Sequence, residues 1–165
     1  MSRIQFTGTG QIRVVTTITN TAAPTVAEIG AGTNLTAWMR QDGLKVSVSG
    51  NTIDIADASS LFNTTDAGTR DASFQVTFYR DTVSGSDTAW TVLPDLTRGY
   101  FVIARFGFTG AGVGTSKAPL AGDRCEVWPM VVTSRAPEDE GKDKAETFIV
   151  TASITTAPNL SAVVA

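Results

Sequence analysis

Apolar residues recur at every second position in several short runs of this chain, the period of a β-strand with one buried face. In "SFQVTFYRD", Phe74, Val76 and Phe78 point one way, and Gln75, Thr77 and Tyr79 the other. "QIRVVTTITN" puts Ile12, Val14, Thr16 and Ile18 on one side, and "TNLTAWM" does the same with Leu35, Ala37 and Met39. In "FIVTASITT", Phe148, Val150, Ala152 and Ile154 alternate with Ile149, Thr151, Ser153 and Thr155. "RGYFVIARFGF" is apolar on both faces, which predicts a strand in mid-sheet. "RCEVWPMVVTS" reads as a strand whose Pro129, lacking an N–H, predicts an edge or a bulge. From this pattern Phe74, Val76, Phe78, Val102, Phe148 and Ile154 are expected in one core.

"LKVSVSGNTIDIAD" reads as a hairpin. Leu44, Val46 and Val48 form one arm, Gly50-Asn51 the turn, and Ile53 and Ile55 answer on the return, all on one face. After it, "ASSLFNTTDAGTRDA" is polar apart from Leu61 and Phe62.

Two short helices interrupt the strands. Thr25 and Glu28 have the T-x-x-E spacing of a capping box, and Gly30 or Gly32 ends that helix. Ser86 or Asp87 is placed to cap a second helix that Pro94 terminates. The expectation is seven or eight strands, two flanking helices, no internal repeat and no linker: one all-β domain with minor α over residues 1–165. Twenty-five threonines reinforce it, since β-branched side chains favour strands.

Little here points to chemistry. There is no histidine, so neither Cys125 nor any hydroxyl has the usual partner base. Cys125, the single cysteine, forms no internal disulfide and reads as a small buried apolar residue. "GFTGAGVGTSK" lacks the Gly-Lys-Ser/Thr ending of a phosphate loop, because Ser116 precedes Lys117 and Ala118 follows. Glu138, Asp139 and Glu140 invite a metal, but a run shared with Lys142 and Lys144 reads as a solvated loop. Trp38, Trp90 and Trp128 read as core or interface anchors rather than sugar platforms. No cofactor, metal or catalytic site is expected. The net charge of −3 gives no basic patch for nucleic acid. No apolar run approaches the roughly 18 residues of a membrane helix, and "MSRIQFTGTG" lacks a signal peptide's apolar core.

The order of segments carries a resemblance. "PTVAEIGAGTNLTAWM", "GNTIDIADASSLFNTTDAGTRD", "FQVTFYRD", "DTAWTVLPDLTRGYFVIARFG", "AGDRCEVWPMVVTSRAP" and "FIVTASITTAPNLSAVVA" follow one another as in the major tail tube proteins of long, non-contractile-tailed bacteriophages, which the chain resembles over nearly its whole length. The resemblance implies a β-sandwich or barrel-like domain with a flanking helix. It implies homohexameric rings whose inner sheets join into one barrel and which stack into a tube. Partners would be the tape measure protein, a tail-tip or baseplate initiator and a tail terminator. Viral DNA would pass through the lumen without specific binding. The site would be the virion tail, assembled in the host bacterial cytoplasm. In such proteins an extended loop in the region of residues 38–70 packs on a neighbouring subunit or ring. Leu44, Val46, Val48, Ile53, Ile55, Leu61 and Phe62 are therefore expected as subunit contacts. Within the closing segment 148–165, "SAVVA" is expected to reach a neighbour through Val163 and Val164. The competing reading is a monomeric β-sandwich binding module, carbohydrate-binding or adhesin-like, with tryptophans exposed in a groove. An enzyme ranks third.

Overall fold

The both-faces-apolar run Arg98–Ala104 lies in mid-sheet, as its composition demands. It is β5 in a computed structural model that describes residues 8–57, 61–62, 64–81, 83, 86–138 and 145–165. The other strands are β1 Gln11–Val15, β2 Thr33–Asn34, β3 Met39–Asp54, β4 Thr65–Tyr79, β6 Arg124–Glu138, β7 Thr147–Ile154 and β8 Asn159–Val163. The helices are α1 Val26–Ala31 and α2 Thr88–Val92. All eight strands belong to one sheet, in the order β2-β1-β5-β6-β7-β4-β3, with β8 paired to β6. Every pairing is antiparallel.

Alternation sorts the strands between two cores. Ile12, Val14, Phe101, Ile103, Trp128, Met130, Phe148, Val150, Phe74 and Val76 converge on the first, which Ala89 and Leu93 of the α2 segment fill. A single core fed by β1, β5, β6, β7 and β4 requires the sheet to wrap around it. The opposite faces of β1, β5 and β6 build the second core from Val15, Val102, Ala104, Cys125 and Val127, covered by Ile29 of α1 and by Ala162 and Val164. Val102 is thus in the second core and not with Phe74, because it stands between Phe101 and Ile103 on a strand buried on both sides. Ile18 also joins the second core. Each fully buried side chain of this kind contributes about 1.5–3 kcal/mol.

The capping box forms as its spacing predicts. The Thr25 side chain accepts from the Glu28 N–H, and Glu28 accepts from the Thr25 N–H at 2.8 Å. At α2, Asp87 occupies the N-cap but does not cap. Its carboxylate takes the Arg80 Nε–H at 2.6 Å instead.

Three further expectations fail, each for a reason that lies outside the local sequence. Residues 33–39 are not one strand: Thr36–Trp38 is a 3-10 turn, which leads the chain from β2 into β3 and still buries Leu35 completely. Gly50-Asn51 is not a turn. β3 runs straight through it and pairs with β4 from Met39↔Phe78 to Asp54↔Thr65, so "TDAGTRDA" is a strand and not a loop. Between Gly50↔Arg70 and Thr52↔Ala67 the extra residue belongs to β4, and Gly68 and Thr69 together oppose Asn51. A Cβ at Gly68 would lie 2.9 Å from the Asn51 carbonyl oxygen, so this bulge needs glycine. Finally, Pro129 is neither on an edge strand nor at one of the register shifts of β6. It stands where the partner on one side of β6 changes, after β8 ends at Val127↔Asn159 and before β7 begins at Met130↔Ile154.

Candidate assembly surfaces

The outward face of β6, β7, β4 and β3 is rich in hydroxyls and amides, with Val131, Ile149 and Ala136 as apolar members. Cross-strand register sets Ser47, Ser73 and Ser153 in one row, and Lys45, Gln75, Thr151 and Ser134 in the next. The Ser47 and Ser73 hydroxyls share a hydrogen bond at 2.8 Å, and Thr133 Oγ1 donates to the Thr151 carbonyl at 3.0 Å. In these two rows Lys45 carries the only charge. β5 pairs with β6 no further than Arg98↔Val131. Beyond it, residues 133–138 of β6 keep a free edge, and β3 at the far side has β4 as its single partner among the described residues. The result is a four-stranded sheet with two open edges, polar outside and sealed by the first core behind.

β7 covers β4 only from Ser73 to Tyr79. The remainder of β3 and β4 projects as a two-stranded arm. Of the expected contact residues, Leu44 and Val46 are half-buried against their own core. Val48, Ile53 and Ile55 are exposed, and Leu61 and Phe62 almost fully so at 95% and 81%. They do not share one face. β3 has no extra residue between 48 and 53, so an odd spacing puts Val48 on the side of Phe74 and Ile53 on the opposite side. The Gly68 contact agrees: a Cβ there would meet Ile53 Cγ1 at 3.2 Å, on the side where Asn51 reaches Thr69 and Asp71.

The segment "SAVVA" is fastened within its own chain. β8 pairs with Arg124–Val127, Val164 exchanges backbone hydrogen bonds with Gly122 and Asp123, and Ala165 does so with Pro24 and Val26. Val164 is 2% exposed in the second core, whereas Val163 remains 43% exposed. Beside Val163 lies a groove shared by Phe106, Arg105, Arg124 and Leu160. Leu160 also borders a second groove that continues to Val48 and Ala72 at the root of the arm. Phe106 was hidden within the apolar run read as a mid-sheet strand, and Leu160 is a single apolar residue whose outward turn depends on the β6–β8 register.

The remaining candidates are accounted for structurally. Cys125 is buried, and desolvation, with Asp123 and Glu126 adding to it, pushes its thiol up to about 11. Glu138 accepts from Thr147 Oγ1; Asp139 and Glu140 lie outside the described residues. Trp128 is buried and donates to Glu126, Trp38 donates to the Ser86 carbonyl, and Trp90 lies under the guanidinium groups of Arg80 and Arg135. Trp128 and Trp90 thus offer no free face for stacking on a sugar, and Trp38 is half-buried against the first core. The glycine-rich connection turns carbonyls inward: Lys117 O accepts from Gln11 and from the buried Arg13, and Thr115 O accepts from Asn34. That is the reverse of a loop offering N–H groups to phosphate. Burial lowers the Arg13 pKa, and its other partners are the Gln11 side chain and the Ile29 carbonyl. Among the described residues no three acidic, Cys or His side chains gather to hold a metal, and no helix is long and apolar enough to cross a membrane.

A family model for phage tail tube proteins matches residues 1–165. No curated protein gives a significant match. Among solved structures, the fold is similar to a chain in the tail of an empty gene transfer agent particle with C6 symmetry, at TM-score 0.53 and 13% identity over 92% of this chain and 95% of that one. It is also similar to a chain of the six-fold symmetrised anti-feeding prophage baseplate, at 0.55 and 10% over 94% and 95%. A chain from the virion of the native gene transfer agent matches at 0.50 and 14%, over 79% and 89%.

Proposed function

This chain belongs to the phage tail tube protein family, whose members are structural parts of the virion tail, and from that premise we propose that six copies close into a ring and that rings stack into the tube. The observation that supports this most is the four-stranded sheet with two open edges. An exposed strand edge is a template for pairing, and β3 of one copy suits residues 133–138 of β6 in the next. Six-fold symmetry is a property of the similar gene transfer agent tail. Four strands from each of six copies, spaced about 4.8 Å apart, give a circumference of about 115 Å and a diameter of about 37 Å before strand tilt widens it. That admits a nucleic-acid duplex with its water.

In this arrangement the Ser/Thr face lines the lumen. DNA slides along hydroxyls because no cluster of Lys and Arg neutralises its phosphates. The 165 residues act as one tube domain, with 38–70 as the arm and 148–165 as closing strand and clamp. Val48, Ile53, Ile55, Leu61, Phe62 and Val163 are the side chains left for subunit contacts. A tail-tip or baseplate initiator starts the tube, a tape measure protein sets its length, and a terminator closes it, all in the host cytoplasm.

Negative-stain microscopy and sedimentation test the reading. The purified chain should give six-fold rings or hollow tubes of uniform width, alone or with an initiator. A stable monomer at high concentration, with no tubes even when an initiator is present, would favour the binding module.

A further inference from the structure

We propose that the tip of the arm, at Leu61–Phe62, seats in the groove between β8 and the end of β5 on another copy of the chain. This rests on the tube reading and names the two surfaces that meet.

The tip is an apolar knob in an acidic setting. Residues 54–66 contain Asp54, Asp57 and Asp66 and no Lys or Arg, while Leu61 and Phe62 are 95% and 81% exposed. The groove is its complement. Phe106, Leu160 and Val163 are exposed apolar residues of its lining, and Arg105 and Arg124 stand beside them. Arg105 is held by Glu126, which leaves Arg124, opposite Val163 in the β6–β8 register, as the cation facing an incoming acidic tip. The register also explains why the groove is apolar. β8 has one residue more than β6 between Cys125↔Ala162 and Val127↔Asn159. Leu160 and Ser161 therefore both oppose Glu126, and Leu160 is turned out to the surface instead of into the second core.

Knob and groove are different places on one chain. A contact between them is heterologous, so it propagates from copy to copy instead of closing a two-fold dimer. Apolar burial with one flanking charge pair gives it both affinity and a fixed sense. Leu160 links the groove to the one at the root of the arm, so a docked tip would lie next to the root of the receiving copy's own arm.

The test is a photocrosslink. Phe62 is replaced by benzoylphenylalanine, a conservative change at an exposed site, and assembled tubes are irradiated and mapped by mass spectrometry. The expected product joins residue 62 of one copy to residues 103–106 or 160–163 of another. Arg124→Glu, also exposed, should leave the monomer's melting temperature unchanged and raise the critical concentration for assembly about tenfold, the weight of one desolvated charge pair. Tubes whose crosslinks map elsewhere, or that form no crosslink, overturn the docking and leave the tube reading standing. Failure of the unmodified chain to form rings or tubes overturns the tube reading, and this inference with it.

Discussion

The rings of Phe74 and Phe101 lie stacked, with centroids 4.4 Å apart and planes 8° from parallel, although β6 and β7 separate their strands in the sheet. A flat sheet would hold them about 14 Å apart, three strand spacings. The sheet curls until one face meets itself, and Trp128 closes the gap edge-on to Phe74 at 5.7 Å. Phe74→Ala or Phe101→Ala should each cost about 3–5 kcal/mol in urea unfolding of the monomer. In a double-mutant cycle the pair should couple by about 0.5–1.5 kcal/mol; strict additivity would mean that the stacking contributes nothing beyond burial.

How far the sequence was readable depended on where each instruction lay. Phe74, Val76 and Phe78 were legible because one face is apolar and the other polar, which leaves a clean period of two. Phe101 to Ala104 were legible because burial on both faces leaves no polar residue. The Thr25–Glu28 cap is written in four adjacent residues. Thr65–Asp71 had no such signature: that half of β4 is wet on both sides, and only its pairing with β3 makes it a strand. Gly50-Asn51 carries a turn signal that the long pairing overrides. The assembly surfaces were half legible. The exposed apolar residues of the arm stood out against polar neighbours, whereas the fastening of Val164 depends on contacts with Asp123 and Pro24 far away in the chain.

Glu28 supplies a pH dependence. The Thr25 N–H, and then the Thr19 N–H, stabilise its carboxylate and lower its pKa from 4.5 to about 2. The folded value lies below the unfolded one, so the stabilisation is fully present above about 4.5 and is lost as pH falls through about 2. Glu28→Gln should be less stable at pH 7 and should flatten the decline between those limits. Superimposable acid-unfolding curves for the two proteins would show that the cap contributes nothing.

Val163 and Val164 should separate folding from assembly. Val164→Asp puts an uncompensated charge in the second core and should cost several kcal/mol, or prevent folding. Val163→Asp, at an exposed position, should change monomer stability by no more than about 0.5 kcal/mol and act on tube formation alone. Equal melting temperatures for both variants would contradict the placement of residues 162–165.

Hydrogen exchange reports on the arm. A lone two-stranded ribbon is marginal in water, so amides of 49–54 and 65–71 should exchange quickly in the monomer and slowly in the tube. Strong protection in both states would mean that the arm is stable without a neighbour.

The hydroxyl face should tolerate a charge in folding and not in use. Thr151→Arg is expected to leave rings and tubes intact and to slow DNA release from particles, more so at low ionic strength, as phosphate contacts with a cation require. Release kinetics identical to wild type at low salt would remove this face from the lumen.

One extra residue in β4, at Gly68–Thr69, has a genetic consequence. Deleting Gly68 would remove the bulge and the local bend and twist that it gives the ribbon, while the strand pairs on either side and every residue of both cores stay in place. Such a chain still folds and still enters a ring, where it presents its arm at the wrong angle. In the proposed ring of six, one faulty copy spoils five good ones. The deletion should therefore be dominant: co-expressed with the intact gene, it should depress particle yield far below its share of the subunit pool, where a folding-defective allele would merely dilute it.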